Sequence, residues 1–293
     1  MSNMNFLYEL ITKRILNLIE NGTPPWKKPW KASDLPMNLV TKIPYRGVNI
    51  WLLLSLEMPS PYFLTWKQTM ALKGTVKKEE AKNYQIVVFW KQLKYKKNVD
   101  GIEEENTFPM LRYYRVYNLS QVELPAEAMK KLVPKKEVKQ VNKLEECENI
   151  VKNYATCPEI KFGGDRAYYS TLMDKIQMPL QSDFNLDEHY YASLFHEMAH
   201  STGSEKRLKR FRATDSNIFG SEVYSKEELI AEMSASFLAA EAGIENTTIE
   251  NSANYIKGWL SAIKNGDKNF VISAAAKAQA AVDYILGRLT KNN

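Results

Sequence analysis

Histidine and cysteine are scarce in this 293-residue chain, with three of the first and two of the second. Cys147 and Cys157 lie in a Lys/Glu-rich region. They are too few for a disulfide framework, and their spacing matches no zinc knuckle. A reducing compartment is the simplest setting. Long apolar runs are missing too. The N-terminal stretch "MSNMNFLYELITKRILNLIENG" repeats apolar residues at helical spacing, but Glu9, Lys13 and Arg14 interrupt it. It therefore reads as neither a signal peptide nor a membrane span. The expectation is a soluble, cytoplasmic protein with no membrane partner. No internal repeat or low-complexity tract is visible, and 44% hydrophobic residues suffice for a folded core. A length prior favours two domains.

Charge is unevenly shared. Residues 1–125 carry 18 Lys and Arg against 11 Asp and Glu, a net of +7, whereas the remainder carries 22 against 23. A front part that meets a polyanion accounts for this excess, and so does a merely solvated basic surface.

The expected architecture is α+β in two domains: residues 1–125, a Lys/Glu-rich linker and helix over 126–150, and a mostly helical domain with a short β-sheet over 151–293. After the first amphipathic helix, "GTPPWKKPW" reads as a proline-broken loop. "YRGVNIWLLLSLE" reads as a helix, and "SPYFLTWKQTMALKG" as a strand followed by a helix stopped at Gly74. "YQIVVFWKQLKYKK" and "MLRYYRVYNLSQVE" read as a hairpin turning through "NVDGIEEEN". In the second domain, "GDRAYYSTLMDKIQMP" predicts a hairpin with its turn at Leu172–Lys175. A helix follows through "DFNLDEHYYASLFHEMAHSTG", capped by Asn185 or Asp187. Another runs through "YSKEELIAEMSASFLAAEAG", capped by Ser225 and stopped by Gly243. Two more are expected around 255–263 and 274–289.

Two of the three histidines, His196 and His200, stand four residues apart with Glu197 between them. On a helix, i and i+4 share a face, so both imidazoles can address one cation. Glu197, one residue on, reaches a water on that cation as a general base. Zinc, or another divalent metal, suits two imidazoles and a carboxylate, with water in the open fourth position. Lys206 stands where the extended His-Glu-x-x-His-x-x-Gly-x-x-His pattern needs a third histidine, which excludes that class. His189 is seven residues upstream, roughly 10 Å by helical rise, and reads as a surface residue. The downstream helix offers acidic candidates for the third ligand in Glu227, Glu228 and Glu232. Glu228 and Glu232 share a face of the downstream helix, as a ligand and its supporting partner would. Glu228 is the preferred ligand and Glu232 its rival; Glu227 fits an exposed, dipole-stabilised first turn. Tyr168 and Tyr169 can line a substrate groove or serve as core aromatics.

Aromatic and basic residues interleave in the front half: Trp26, Lys27, Lys28 and Trp30; Tyr45 and Arg46; Trp66 and Lys67; Trp90 and Lys91. Single-stranded DNA binders need positive charge along the phosphates and aromatic faces for unpaired bases. Trp90, inside "IVVFW", reads equally well as core.

Several motifs resemble one family. "NGTPPWKKPW", "PMNLVTKIPYRGVNIWLLL", "SPYFLTWKQTMALKG" and "IVVFWK" are similar to the N-terminal domain of the ArdC antirestriction family, also found in TraC-type plasmid primases. "GDRAYYSTLMDKIQMP", "YYASLFHEMAHSTG" and "EELIAEMSASFLAAEAGI" resemble the family's zincin-like metallopeptidase domain. The sequence departs from the family in lacking some glycines in "TKIPYRG" and "LKGTVKKEEAKNYQIVVFW", and in Phe63 where tryptophan is frequent. The resemblance implies a mobile-element protein that binds single-stranded DNA and protects incoming DNA from restriction. It also implies a metal held by His196, His200 and Glu228, and a protein substrate that the sequence does not name. Two other readings stay open: a DNA-binding shield with a vestigial or structural metal domain, and a cytosolic metallopeptidase recruited to an acidic protein partner.

Overall fold

The computed structural model describes residues 3–20, 35–99, 102–133, 142–210, 222–244 and 269–288. The chain divides into two compact units, Met1–Lys13 with Pro36–Lys136 and Arg14–Leu35 with Glu137–Asn293. Helix α1 (Asn3–Glu20) opens the chain. Leu7, Ile11, Ile15 and Ile19 recur every four residues and are all buried, so its apolar stripe is covered as the periodicity predicts.

The first unit is built on a sheet of order β1-β2-β5-β4. Its strands are β1 (Met37–Asn38), β2 (Tyr62–Thr65), β4 (Gln85–Val99) and β5 (Ile102–Asn118). Strand β1 runs parallel to β2, and the other pairings are antiparallel. Two short strands, β3 (Thr75–Val76) and β6 (Val122–Glu123), pair separately.

Both faces of β2 are covered. Phe63 packs with Leu53, Val87 and Val116, while Leu64 packs on the other side with Leu39, Val76 and Tyr117. Leu53 comes from α2 (Val48–Leu54), the expected apolar helix. The Asn49 side chain donates to the Val88 carbonyl and accepts from the Val88 N–H, both at 2.7 Å. It thus occupies part of the free edge of β4. Helix α3 (Trp66–Ala71) starts with a capping box between Thr65 and Gln68. Helix α4 (Ala126–Leu132) follows β6.

The β4–β5 hairpin is longer than expected. The ladder continues through Asn98, opposite Glu103, and Val99, opposite Ile102. The turn expected over this stretch is thus shorter than the sequence reading gave it.

The second unit is mostly helical. It contains α5 (Lys143–Asn153), α6 (Asp187–Ser201), α7 (Glu222–Ala242) and α8 (Phe270–Ile285). Its sheet has order β7-β9-β8, from β7 (Glu159–Phe162), β8 (Tyr168–Ser170) and β9 (Lys175–Met178). β8 and β9 are the predicted hairpin, and β8 stands at the sheet edge.

The helix starts differ from the sequence reading. Leu186 occupies the cap position of α6 without a side-chain bond, and Asp187 instead accepts from Gln181 at 2.7 Å. The charges of Asp187 and Glu188 in the first turn favour that helix end. Ser225 lies inside α7 rather than at its cap, whereas Gly243, with φ of 73°, does end it. The last helix begins four residues earlier than expected, at Phe270. The run expected at 255–263 lies outside the described residues.

Candidate metal centre

Helix α6 is held by Tyr190, Leu194, Phe195 and Met198, all buried. That packing fixes its rotation and turns His196 and His200 together toward α7. Their Nε2 atoms stand 3.0 Å apart. From α7, Glu228 brings Oε2 to 3.4 Å from His196 Nε2 and Oε1 to 3.4 Å from His200 Nε2. Burial of Leu229, Ile230, Ala231 and Met233 on the same helix holds the carboxylate in place. A tetrahedral ion with ligands at ~2.1 Å has ligand–ligand edges of ~3.4 Å, and each imidazole stands at that distance from one of the two Glu228 oxygens. Among the described residues, His196, His200 and Glu228 are the group able to hold a metal.

The electrostatics agree with a cation site. Burial alone would raise the Glu228 carboxyl, but the charge of His200 and hydrogen bonds from both imidazoles hold it well below the carboxylate range. Burial alone would lower both histidines, but Glu228 together with the neighbouring glutamates raises each of them.

Glu197 is buried on α6 between the two histidines. Glu232, one turn beyond Glu228, is also buried, and its charge acts on His196. Two residues missed by the sequence reading complete the surroundings. Glu227 is not an exposed first-turn residue: its side chain is 13% exposed, and its Oε1 lies 3.7 Å from His200 Nδ1. Arg210 grips that carboxylate with Nη2 to Oε1 at 2.6 Å and Nε to Oε2 at 3.1 Å. The only sequence signal was the basic run "KRLKR" after the histidines.

The expected groove residues part company. Tyr168 is exposed, while the Tyr169 hydroxyl donates to Asp174 at 2.7 Å. Its pKa is pushed up to about 12, by burial first and then by that bond. Asp174 also pairs with Arg207, and with Lys206 at 3.0 Å. His189 is half-buried and stands outside the metal-capable group.

Comparison with known proteins decides the family. Residues 5–117 match the N-terminal domain of anti-restriction factor ArdC, and residues 145–277 match a zincin-like metallopeptidase domain. The metal-free crystal structure of antirestriction ArdC protein from plasmid R388 superposes with a TM-score of 0.75 at 32% identity, covering 96% of this chain and 97% of that one. The chain belongs to the ArdC antirestriction family.

A Mn(II)-bound structure of the R388 ArdC protein matches equally, with a TM-score of 0.75 at 31% identity over 98% of this chain and 99% of that one. That relative and the zincin-like fold support a divalent metal here. An uncharacterized protein, y4eC of Sinorhizobium fredii, is 30% identical over 95% of this chain and 91% of its own length. DNA primase TraC of Escherichia coli is 31% identical over 95% of this chain, which spans only 20% of the primase. No described helix is long and apolar enough to cross a membrane.

The ArdC-type N-terminal unit distributes its aromatic and basic residues unevenly. Trp26, Lys27, Lys28 and Trp30 lie outside the described residues. Tyr45 is half-buried, edge-on to Phe63 at 6.2 Å, and belongs to the packing of the sheet. Arg46 and Lys67 are exposed, as are Trp66 and Trp90 at 49% and 45%. Trp90 is therefore a surface residue rather than core, and Lys91 beside it is exposed. The hairpin adds Tyr113 and Tyr114, also exposed, which the sequence reading left unassigned. Tyr114 stacks on Phe89 at 4.6 Å, and Arg112 lies directly opposite Phe89.

Proposed function

We propose that this chain is a zinc-dependent peptidase joined to a single-stranded-DNA-binding unit, acting in the cytoplasm to protect mobile-element DNA from restriction. The observation that carries the peptidase half is the convergence of His196 Nε2, His200 Nε2 and the Glu228 carboxylate beside Glu197. Zinc is the ion that such a nitrogen-rich three-ligand set most commonly holds. A bound ion supplies Lewis acidity and lowers the pKa of a water toward ~7. Glu197 would serve as the base that accepts a proton from the attacking water and passes it to the leaving amine. The edge strand β8 packs on α6, and an extended peptide would be read by strand addition along this sheet.

For the DNA half, the support is the β4–β5 ribbon and the exposed Trp66 surface. Trp90, Tyr113 and Tyr114 offer flat faces for unpaired bases, at about 1–3 kcal/mol per stacked base. Lys91, Arg112 and Arg115 lie near them in the ladder to meet phosphates. The protein substrate is the finer part of the proposal, and its chemistry is a peptide bond in extended chain.

The test is cleavage of a mixed-sequence peptide library, read by mass spectrometry, with zinc and after chelation. Glu197→Gln removes the base while leaving all three ligand atoms in place. Expected is metal-dependent cleavage lost in Glu197→Gln. Equal cleavage by the substituted chain, or none by the unsubstituted one, would refute the peptidase reading. Anisotropy with a labelled oligonucleotide checks the DNA half, where the single strand must bind more tightly than its duplex and weaken with salt.

A further inference from the structure

The loop that follows the paired histidines is folded tightly against the end of α6. Gly203 N–H donates to the His200 carbonyl at 2.9 Å, Leu208 N–H to Thr202 at 2.8 Å, and Arg210 N–H to Gly203 at 2.8 Å. Arg210 is therefore carried back to the turn from which His200 projects. Its side chain, 5% exposed, makes two further bonds there: Nη1 to Thr202 Oγ1 at 2.6 Å and Nη2 to the Ala199 carbonyl at 2.8 Å. The remaining donors point at α7 and hold both oxygens of Glu227. One guanidinium thus bolts the end of the histidine helix to the carboxylate facing His200 Nδ1.

We infer that Arg210 is a positioning residue for the metal centre, acting through Glu227 to fix the ring orientation and tautomer of His200. The inference rests on the metal reading above. His200 Nε2 faces Glu228 and His196, so its other ring nitrogen must carry the proton when Nε2 offers its lone pair. Glu227 Oε1, at 3.7 Å from Nδ1, is roughly 0.8 Å beyond the ~2.9 Å of an N–H···O bond. It stands as a fixed negative charge that a small ring movement converts into a hydrogen bond.

Left unclamped, Glu227 would add a second buried carboxylate beside Glu228, repelling it and free to turn away from Nδ1. The Arg210 charge offsets that repulsion, and the paired bonds remove the freedom to turn. Lysine offers a single ammonium in place of the planar fork, so it cannot hold both Glu227 oxygens while also reaching Thr202 and Ala199. Lys206 stands in the same loop with its ammonium on Asp174 instead, and is 74% exposed. In this chain, the basic run after the histidines supplies support for a ligand where a third histidine is missing.

The test measures Zn2+ affinity of the metal-free full chain by chelator competition, repeated with Mn2+ by electron paramagnetic resonance. Arg210→Lys and Glu227→Ala should each weaken binding about 10–100-fold. Together they should weaken it no more than Glu227→Ala alone, because they act on one ring. Lys206→Gln should leave the affinity unchanged. Long-range proton–nitrogen spectra then read the tautomer directly, uncrowded because the chain has three histidines. At a pH where the imidazoles are neutral, the His200 proton should reside on Nδ1 in the unsubstituted chain and be shared between nitrogens in Glu227→Ala. Unchanged affinity in a folded Arg210→Lys, or losses that multiply in the double variant, would overturn the inference. If Arg210→Lys does not fold, Glu227→Ala decides: wild-type affinity and an unchanged tautomer overturn the inference. Absence of metal binding in the unsubstituted chain would overturn the metal reading itself, and this inference with it.

Discussion

Replacing Glu228 by alanine should remove most of the stabilisation that zinc gives the second unit. The two Nε2 atoms are 3.0 Å apart and each stands 3.4 Å from a different oxygen of Glu228, so the donor groups already converge. The folded chain therefore binds the ion with little rearrangement, whereas the unfolded chain scatters the ligands along 33 residues of sequence. Zinc at 100 times its dissociation constant stabilises the folded form by about 2.7 kcal/mol. For a unit of this size, each kcal/mol moves the midpoint by about 2–4 °C, so the expected rise is about 5–11 °C.

Glu228→Ala leaves two imidazoles and no charge to balance the cation. The loss should reach at least the ~100-fold upper end seen for supporting residues. At the same zinc concentration, the stabilisation then falls to about 0.4 kcal/mol, a shift of about 1–2 °C. Calorimetry of the full chain, with zinc and with chelator, measures both. The reasoning fails if Glu228→Ala keeps the full rise, or if Glu232→Ala removes it and Glu228→Ala does not.

Three further outcomes follow from other parts of the molecule. Gly74→Ala should cost about 1–3 kcal/mol, because a Cβ there would sit 2.5 Å from the Glu123 carbonyl oxygen and 2.5 Å from Leu124 Cδ2; denaturant unfolding checks it, and an unchanged midpoint would contradict the contact. Trp90→Ala with Tyr114→Ala should weaken single-stranded DNA binding by about 1–3 kcal/mol per lost stack with the salt slope unchanged, measured by anisotropy; a changed slope with equal affinity would argue against stacking. Burial alone would raise the Asp174 carboxyl, but bonds from Tyr169 and Lys206 and the Arg207 charge hold it below its usual value. Its stabilising contribution is therefore complete above the unfolded value of ~3.9 and is lost as pH falls through the lower folded value. Asp174→Asn should flatten acid unfolding in that range, and identical acid curves would remove the effect.

Much of the candidate site was legible because its chemistry is local. His196, Glu197 and His200 are neighbours on one helix, so helical periodicity alone puts both imidazoles on one side. The β8–β9 hairpin and α3 were equally readable, since turn residues and alternation act over a few positions, but α3 ends at Ala71 and Lys73, not Gly74, takes the left-handed turn after it. Errors arose where distant chain segments decide. Glu227 and Glu228 are adjacent, and nothing in their local sequence says that one faces His200 Nδ1 while the other faces both Nε2 atoms. Trp90 fits core and surface equally well by sequence, and only the fold leaves its side chain 45% exposed.

By itself, the sequence determined which helix carries the histidines, the acid between them, and the membership of both halves in one family. Only the tertiary structure decided which carboxylate meets the imidazoles, that Arg210 folds back to hold Glu227, and which aromatics reach the surface. The physical reason is range. Periodicity orients residues within one element, whereas the rotation of α7 against α6 is set by buried side chains on both helices at once.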